Sequence, residues 1–142
     1  MNQAQLIGVW KLVSYVDELD GHDAGHPFGP QPEGFLIYTQ EGFVSAQLMK
    51  PGRAPFQSHD WHGGSPEEYQ QAGSGYISYC GLYEVDEEKE IVTHIPSVAF
   101  LPQLIGGRQV RQAKLAGDTL TLRTVEASGA SSRLEWQKVK HE

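Results

Sequence analysis

The sequence predicts an all-β protein, an eight-stranded antiparallel barrel with one short helix. Short segments rich in β-branched and aromatic residues recur along the chain, and turn-forming residues separate them. Sixteen glycines and eight prolines disfavour a helical bundle. The chain has 142 residues, of which 39% are hydrophobic, which is enough for one core. We therefore expect a single domain over residues 1–142.

The strands are predicted from alternating apolar and polar residues, and the hairpins from the short turns between them. Hairpin turns are expected at residues 40–42, 86–89 and 116–118. A closed ring of such strands has no free edge and can hold one small ligand. In chain order the predicted strands are residues 8–16, 34–39, 43–49, 76–85, 90–95, 109–115, 119–125 and 133–139.

One short helix is predicted between the third and fourth strands. Ser65 suits the N-cap, Pro66 suits the first helical position, and the two glutamates that follow suit the positive end of the helix dipole. Gly73 and Gly75 would end the helix within a few turns. The segments 17–33, 50–64 and 100–107 are predicted to be loops or irregular.

The charge of the chain argues against nucleic acid as a partner. The formal net charge is −7 and the pI is about 5.3, so the protein would repel a phosphate backbone. No basic stripe with interleaved aromatic residues is present.

Cysteine usage and the N-terminal sequence predict a cytoplasmic protein. Cys80 is the single cysteine, so an internal disulfide cannot form. The segment MNQAQLIGVW has no charged region followed by a long apolar run, so we expect no signal peptide. No apolar segment approaches the length of a membrane span. A soluble protein of a reducing compartment, without a membrane partner, fits these features.

Gly8 and Trp10 resemble the Gly-x-Trp signature of lipocalins. The chain also resembles the bacterial and fungal lipocalin-like domain family over nearly its whole length, in the segments LIGVWKLVSY, PFGPQPEGFLIYTQEGFVSAQLMKPGRAPF, SPEEYQQAGSGYISYCGLYEVDEEKEIVTH, GRQVRQAKLAGDTLTLRT and LEWQKV. This resemblance implies one calycin-type barrel with a central cavity. It further implies that Trp10 packs at the closed barrel end beneath a late arginine, either Arg133 or Arg123.

The strand 43–49 has two faces, and either could point into the barrel. Ser45 and Gln47 share one face with apolar neighbours, and Val44, Ala46 and Leu48 share the other. If the first face is inward, Ser45 and Gln47 would supply ligand-binding polar groups in an apolar wall. If it is outward, both side chains simply face water.

Three residues on later strands form the sharpest candidate site. Tyr79 shares an apparently inward face with Ile77, His94 shares a face with Val92, and Arg111 shares one with Ala113 and Leu115. If all three face inward, His94 and Tyr79 would provide acid–base groups and Arg111 would bind a carboxylate or enolate oxygen. The alternatives are a core tyrosine, a satisfied histidine and a surface arginine.

Further ligand-binding candidates are two tyrosines and one tryptophan. Tyr38 and Tyr83 would add bulk and a phenol to the cavity wall, unless they serve only as core packing. Trp61 lies in the loop segment His59–Asp60–Trp61–His62 and could cover a barrel mouth. The histidines of this loop match no metal-binding motif, so no metal site is expected. No phosphate-binding or dinucleotide-binding motif is present, so no cofactor is expected.

Two function classes follow from these residues. The first is binding of a small, mostly apolar organic molecule in the barrel. The second is a cofactor-free isomerase, cyclase or hydratase of a polyketide- or terpenoid-like substrate, acting through His94, Tyr79 and Arg111. A structural or subunit-interaction role is a third option, and a homodimer is compatible with the sequence.

Overall fold

The computed structural model describes residues 1–124 and 129–140. The elements found within these residues are nine strands, two α-helices and one 3-10 turn. In chain order they are α1 (Gln3–Leu6), β1 (Gly8–Leu19), β2 (His22–Gly25), β3 (Glu33–Tyr38), β4 (Phe43–Met49), α2 (Pro66–Ser74), β5 (Tyr76–Asp86), β6 (Ile91–Ala99), the 3-10 turn (Pro102–Leu104), β7 (Gln109–Ala116), β8 (Thr119–Thr124) and β9 (Ala130–Lys138).

The strands close into an antiparallel barrel. Their order is β2-β1-β3-β4-β5-β6-β7-β8-β9, and β1 also pairs with β9. All of the nine strands except β2 therefore belong to the ring, which leaves eight. The predicted eight-stranded barrel is confirmed. Position 125, the last residue of the predicted seventh strand, lies outside the described residues.

The short strand β2 lies in a segment that was predicted to be a loop. It folds back on the end of β1, with Leu19 opposite His22. The turn between them is Asp20–Gly21, and both residues have positive φ, 50° and 82°. An Asp-Gly pair in this conformation favours a tight hairpin, because its twist matches that of the strands. The loop prediction for this segment overlooked the Asp-Gly pair, which is the local feature that favours the hairpin.

The α1 end of the barrel is closed by the N-terminal segment. Asn2 caps α1 through a reciprocal capping box with Gln5, and Leu6 is fully buried. The Trp10 indole N–H donates to the Leu6 carbonyl over 2.8 Å. The Lys138 ammonium lies 4.7 Å from the centre of the Trp10 ring, a cation–π contact. The helix α1 was not predicted.

The expectation that a late arginine covers Trp10 was wrong, since Lys138 takes that place. Arg123 and Arg133 instead form ion pairs with Glu18, at 3.1 and 2.8 Å. Glu18 lies near the far end of β1, so both arginines serve the opposite end of the barrel.

The structure explains why position 8, the first residue of the Gly-x-Trp signature, is a glycine. Its φ is +132°, a conformation that side chains other than glycine rarely adopt. A Cβ added at this position would lie 2.8 Å from the Lys138 Nζ. Glycine at this position therefore leaves room for the lysine that covers Trp10.

The loops 26–32, 50–65 and 100–108 emerge at the opposite end, which we call the loop end. The proline-rich loop that follows β4 packs on α2. Arg53 donates to the carbonyls of Gly75 and Ala72, at 3.0 and 3.1 Å, and so satisfies the last carbonyl groups of this helix. As predicted, α2 starts with a Ser65 capping box and Pro66.

In the described part of the chain, neither α-helix has the length and apolar character that a membrane crossing requires.

Candidate functional site

The barrel encloses a cavity of about 110 Å³. Strand alternation places the apolar inner side chains of five strands around it, because each strand presents every second residue to the interior. The apolar part of the lining consists of Leu36, Ala46, Leu48, Ile77, Leu122, Leu134 and Trp136. The cavity therefore has a largely apolar wall.

Polar side chains converge on the same cavity from six strands. They are Tyr15, Tyr79, His94, Arg111, Thr124 and Ser132. The three predicted residues Tyr79, His94 and Arg111 are thus brought together, on the adjacent strands β5, β6 and β7. Their inward orientation was the open condition of the sequence hypothesis, and the structure meets it.

His94 lies between two tyrosines in a buried hydrogen-bonded chain. The Tyr38 Oη lies 2.6 Å from His94 Nε2, and the Tyr79 Oη lies 2.6 Å from His94 Nδ1. The His94 side chain is 1% exposed. Its ring is therefore held by both nitrogens and cannot rotate without breaking two hydrogen bonds.

Burial keeps this chain electrically neutral. Desolvation, with a smaller contribution from the nearby Arg111 charge, lowers the pKa of His94 from 6.5 to about 3. Desolvation also raises the pKa of Tyr79 to about 12, although Arg111 opposes the shift. The pKa of Tyr38 is raised well above its usual value, mainly by burial. At neutral pH the imidazole and both phenols are uncharged.

Arg111 brings a cation to the cavity. Its guanidinium donates to the Val110 carbonyl at 3.1 Å and to the Gln109 side-chain oxygen at 3.2 Å. Among the described residues no carboxylate lies within 4 Å of this guanidinium. The positive charge is therefore compensated there only by neutral oxygens, and it can attract an electron-rich group in the cavity.

Sequence reasoning missed Tyr15 and the loop residue that covers it. The ring of Phe28 packs edge-on against Tyr15, with centroids 5.5 Å apart, and Phe28 is buried. Phe28 comes from the loop between β2 and β3, so this loop packs over part of the loop end. Strict alternation from Trp10 and Leu12 would point Ser14 inward. A register shift against β9 between Leu12 and Ser14 breaks that alternation.

Ser132 and Thr124 were also missed, because they lie near the ends of β9 and β8, where the sequence pattern is weakest. The Ser132 hydroxyl donates to Asp17 at 2.8 Å, and the Ser132 N–H donates to the Thr124 hydroxyl at 2.8 Å. The pKa of Tyr15 is raised by its burial and by the neighbouring Asp17 charge, so this phenol is also neutral.

Ser45 and Gln47 were ligand-binding candidates on the condition that their face of β4 points inward, and the structure does not meet this condition. Val44, Ala46 and Leu48 form the buried face of β4, and Ser45 and Gln47 lie on its outer face. Gln47 accepts a hydrogen bond from the Tyr76 hydroxyl at 2.9 Å on that side. The physical reason is that the fully apolar face gains more from burial than a face that contains a hydroxyl and an amide.

The other three ligand-binding candidates do not line the cavity either. Tyr38 and Tyr83 are buried and pack against each other, with ring centroids 4.7 Å apart. Tyr83 donates to the Thr39 carbonyl at 3.0 Å, so its hydroxyl is satisfied locally. Trp61 is 90% exposed and covers no barrel mouth. Tyr38 contributes indirectly, through His94.

Two larger recesses lie on the outer surface. One, of about 190 Å³, separates the proline-rich loop from α2 and includes Arg53 and Glu68. The other, of about 500 Å³, is an open groove over the outer faces of β4, β5 and β6 and includes Gln47 and Tyr76. Tyr79 also borders the groove, but neither recess is lined by Arg111 or His94. The cavity is therefore the better candidate site despite its smaller volume.

Comparisons with known proteins identify the family of the chain. A 4'-hydroxy-3'-methoxypropiophenone carrier protein of Aspergillus oryzae is 31% identical to the chain over 107 residues, which cover 68% of this chain and 96% of the relative. A redesigned β-barrel of known structure aligns with a TM-score of 0.49 at 12% identity, over 96% of this chain and 94% of the other. The model of the lipocalin-like domain family matches residues 7–139. The chain therefore belongs to the lipocalin-like domain family.

Proposed function

We propose that the protein binds a small, mostly apolar organic molecule with one aromatic ring in its barrel cavity. The observation that carries this proposal is the composition of the cavity. An apolar wall surrounds a neutral phenol–imidazole pair and one cation without a carboxylate partner among the described residues. Ligand sites are usually built this way, with apolar surface for affinity and a few polar groups for orientation.

The size of the cavity limits the ligand. Drug-sized ligands occupy pockets of about 300–1,000 Å³, whereas an engineered apolar cavity of about 150 Å³ binds benzene. A cavity of about 110 Å³ is smaller than the one that binds benzene, so it can enclose at most one ring and no fused polycycle. Substituents of the ring would extend toward the loop end, where Arg111 and Tyr15 lie.

The relative from Aspergillus oryzae supports the chemical class. Its name describes it as a carrier of an aryl ketone that also bears a hydroxyl and a methoxy group. We extend this class to the present chain, with the ring against the apolar wall and the oxygen substituents near Tyr79, Arg111 or Tyr15. The functional role would then be to hold or carry such a molecule.

A cofactor-free isomerase, cyclase or hydratase of a polyketide- or terpenoid-like substrate is the second candidate function. Arg111 favours it, because a guanidinium that has no carboxylate partner among the described residues can stabilise an enolate oxygen. His94 favours it less. With its pKa near 3 and both nitrogens engaged, it is a weak general base at neutral pH. A pH–rate profile that changes in the His94→Ala variant would favour the enzyme over the carrier.

Titration with propiophenone, followed by tryptophan fluorescence and calorimetry, tests the binding proposal. Ala46 lines the cavity, so Ala46→Leu should fill part of it and weaken binding at least about tenfold. Ser45→Leu is the matched control, because it adds the same kind of side chain one residue away on the outer face. Equal affinity of the two variants would place the ligand outside the barrel.

Mass spectrometry of the purified protein, native and then denatured, complements the titration. A stoichiometric aromatic molecule released on denaturation would support the carrier and identify the ligand. A fused polycyclic molecule in its place would contradict the size argument.

We also propose that the protein forms a homodimer. Half-exposed apolar side chains lie together on the outer faces of β3, β4 and β5, namely Phe35, Ile37, Phe43 and Leu82. A symmetric contact through this patch would cover it with a second copy of itself. Light scattering during gel filtration should give twice the chain mass for the wild type and the single mass for Phe43→Glu. A monomeric wild type would refute the proposal.

The compartment that we propose is the cytoplasm. The support is the free, half-buried Cys80, which has no second cysteine with which to pair. Fractionation of the cells that produce the protein, with detection by antibody, tests it.

A further inference from the structure

We propose that Tyr79 is the hydrogen-bond donor of the cavity, and that Tyr38 and His94 hold its proton toward the ligand. The ligand would therefore carry a neutral acceptor, a ketone or aldehyde oxygen, at this point. The inference rests on the proposed function and deepens it, because it assigns the group that selects the ligand. It follows from counting donors and acceptors in the chain Tyr38–His94–Tyr79.

A neutral imidazole has one N–H donor and one bare nitrogen acceptor. His94 is neutral, and each of its nitrogens faces a phenol oxygen at 2.6 Å. One tyrosine must therefore donate to His94, and the other must accept from it. Two arrangements are possible, and they differ in which phenol proton is left over.

Tyr38 decides between them. It is 1% exposed, and the hydrogen bond to His94 Nε2 is the one its hydroxyl makes among the described residues. If Tyr38 accepted from His94, its own proton would be buried without an acceptor, which is the costly outcome. Tyr38 therefore donates to Nε2, and the proton of the imidazole sits on Nδ1.

This assignment leaves the phenol proton of Tyr79 free. Its oxygen accepts from His94 Nδ1–H, so its own proton is not used in the chain. Tyr79 lines the cavity and is 8% exposed, whereas Tyr38 does not line it. The nearby Arg111 guanidinium carries only donors and cannot accept this proton. The free O–H of Tyr79 is thus available to a ligand acceptor, polarised by the two hydrogen bonds behind it.

Two probe molecules of the same skeleton test the inference: propiophenone and propylbenzene, which replaces the carbonyl by a methylene group. The wild type should bind propiophenone more tightly than propylbenzene. In Tyr79→Phe this preference should fall by about five- to tenfold, through weaker ketone binding alone. Tyr83→Phe is the matched control on the same strand face, because its hydroxyl serves Thr39 instead of the cavity. It should keep the wild-type preference.

The tautomer provides a readout that needs no ligand. Nitrogen NMR of the free protein should show the His94 proton on Nδ1 and a bare Nε2. A proton on Nε2 would overturn the inference. Equal affinity for the two probes in the wild type, or an unchanged preference in Tyr79→Phe, would overturn it while the proposed function stands. Failure of both probes to bind at all would overturn the proposed function and this inference together.

Discussion

Acid should destabilise this protein through one identifiable residue, His94. Its pKa falls from 6.5 to about 3 on folding, so between these values the unfolded chain binds a proton that the folded chain does not. The contribution of the buried neutral ring to the free energy of unfolding has its full value above pH 6.5. It is lost as the pH falls toward 3. In this pH window, the contribution of His94 to the free energy of unfolding changes by up to about 1.4 kcal/mol per pH unit.

The matched comparison is His94→Gln, which keeps a polar side chain but does not titrate. The free energy of unfolding is measured in urea at a series of pH values. From pH 7.5 to 4.5, the difference between wild type and variant should shrink by roughly 3 kcal/mol, the order of magnitude that one-site linkage gives for a pKa lowered from 6.5 to about 3. Carboxylates titrate in both proteins, so their contribution cancels to first order in the difference.

NMR of the wild type keeps the prediction testable if His94→Gln folds poorly. The His94 ring signals should not titrate between pH 7.5 and 4.5 in the folded protein. A titration midpoint near 6.5, or a stability difference that stays constant with pH, would refute the conclusion that burial and the Arg111 charge hold the ring neutral.

Four further variants, one of them a control, probe other parts of the structure. Gly8→Ala should cost about 1–3 kcal/mol of unfolding free energy, through strain and the clash with Lys138. Gly25→Ala, with φ +148° and open space around it, reports the strain alone, and equal losses would argue against the clash. Tyr38→Phe should lower the free energy of unfolding by about 1–3 kcal/mol, because it leaves His94 Nε2 without a donor. An unchanged thermal unfolding midpoint would contradict the buried hydrogen-bonded chain. Trp61→Ala should change the free energy of unfolding by less than about 0.5 kcal/mol and leave propiophenone binding intact. Weaker binding would show that Trp61 contributes to the site.

The barrel could be predicted from the sequence because its strands are regular and its hairpin turns are short. The residues that share a face on β5 and on β6 were predicted for the same reason, although the sequence left open whether the His94 face of β6 is inward. Ile77, Tyr79 and Tyr83 continue one alternating face, and His94 continues the face of Val92. Alternation is a local property, and where no bulge interrupts it, a single sequence reveals which residues share a face.

The orientation of β4 could not be predicted in this way, because both of its faces carry apolar residues. Phe43 on the outer face is about half exposed, whereas Val44 on the inner face is buried. Which face is inward depends on pairing with β3 and β5, a long-range property. Tyr15 was missed for a related reason, since the register shift of β1 appears only in its pairing with β9.

The residues that close the barrel and the residues that line its cavity lie toward opposite ends. Gly8 and Trp10 lie at the α1 end with Lys138, where they close the barrel. The cavity cation Arg111 lies nearer the loop end, on β7. Closure of the barrel and composition of the cavity therefore depend on different residues. The identity of the ligand must be read from the cavity, and there the free proton of Tyr79 is the most specific feature.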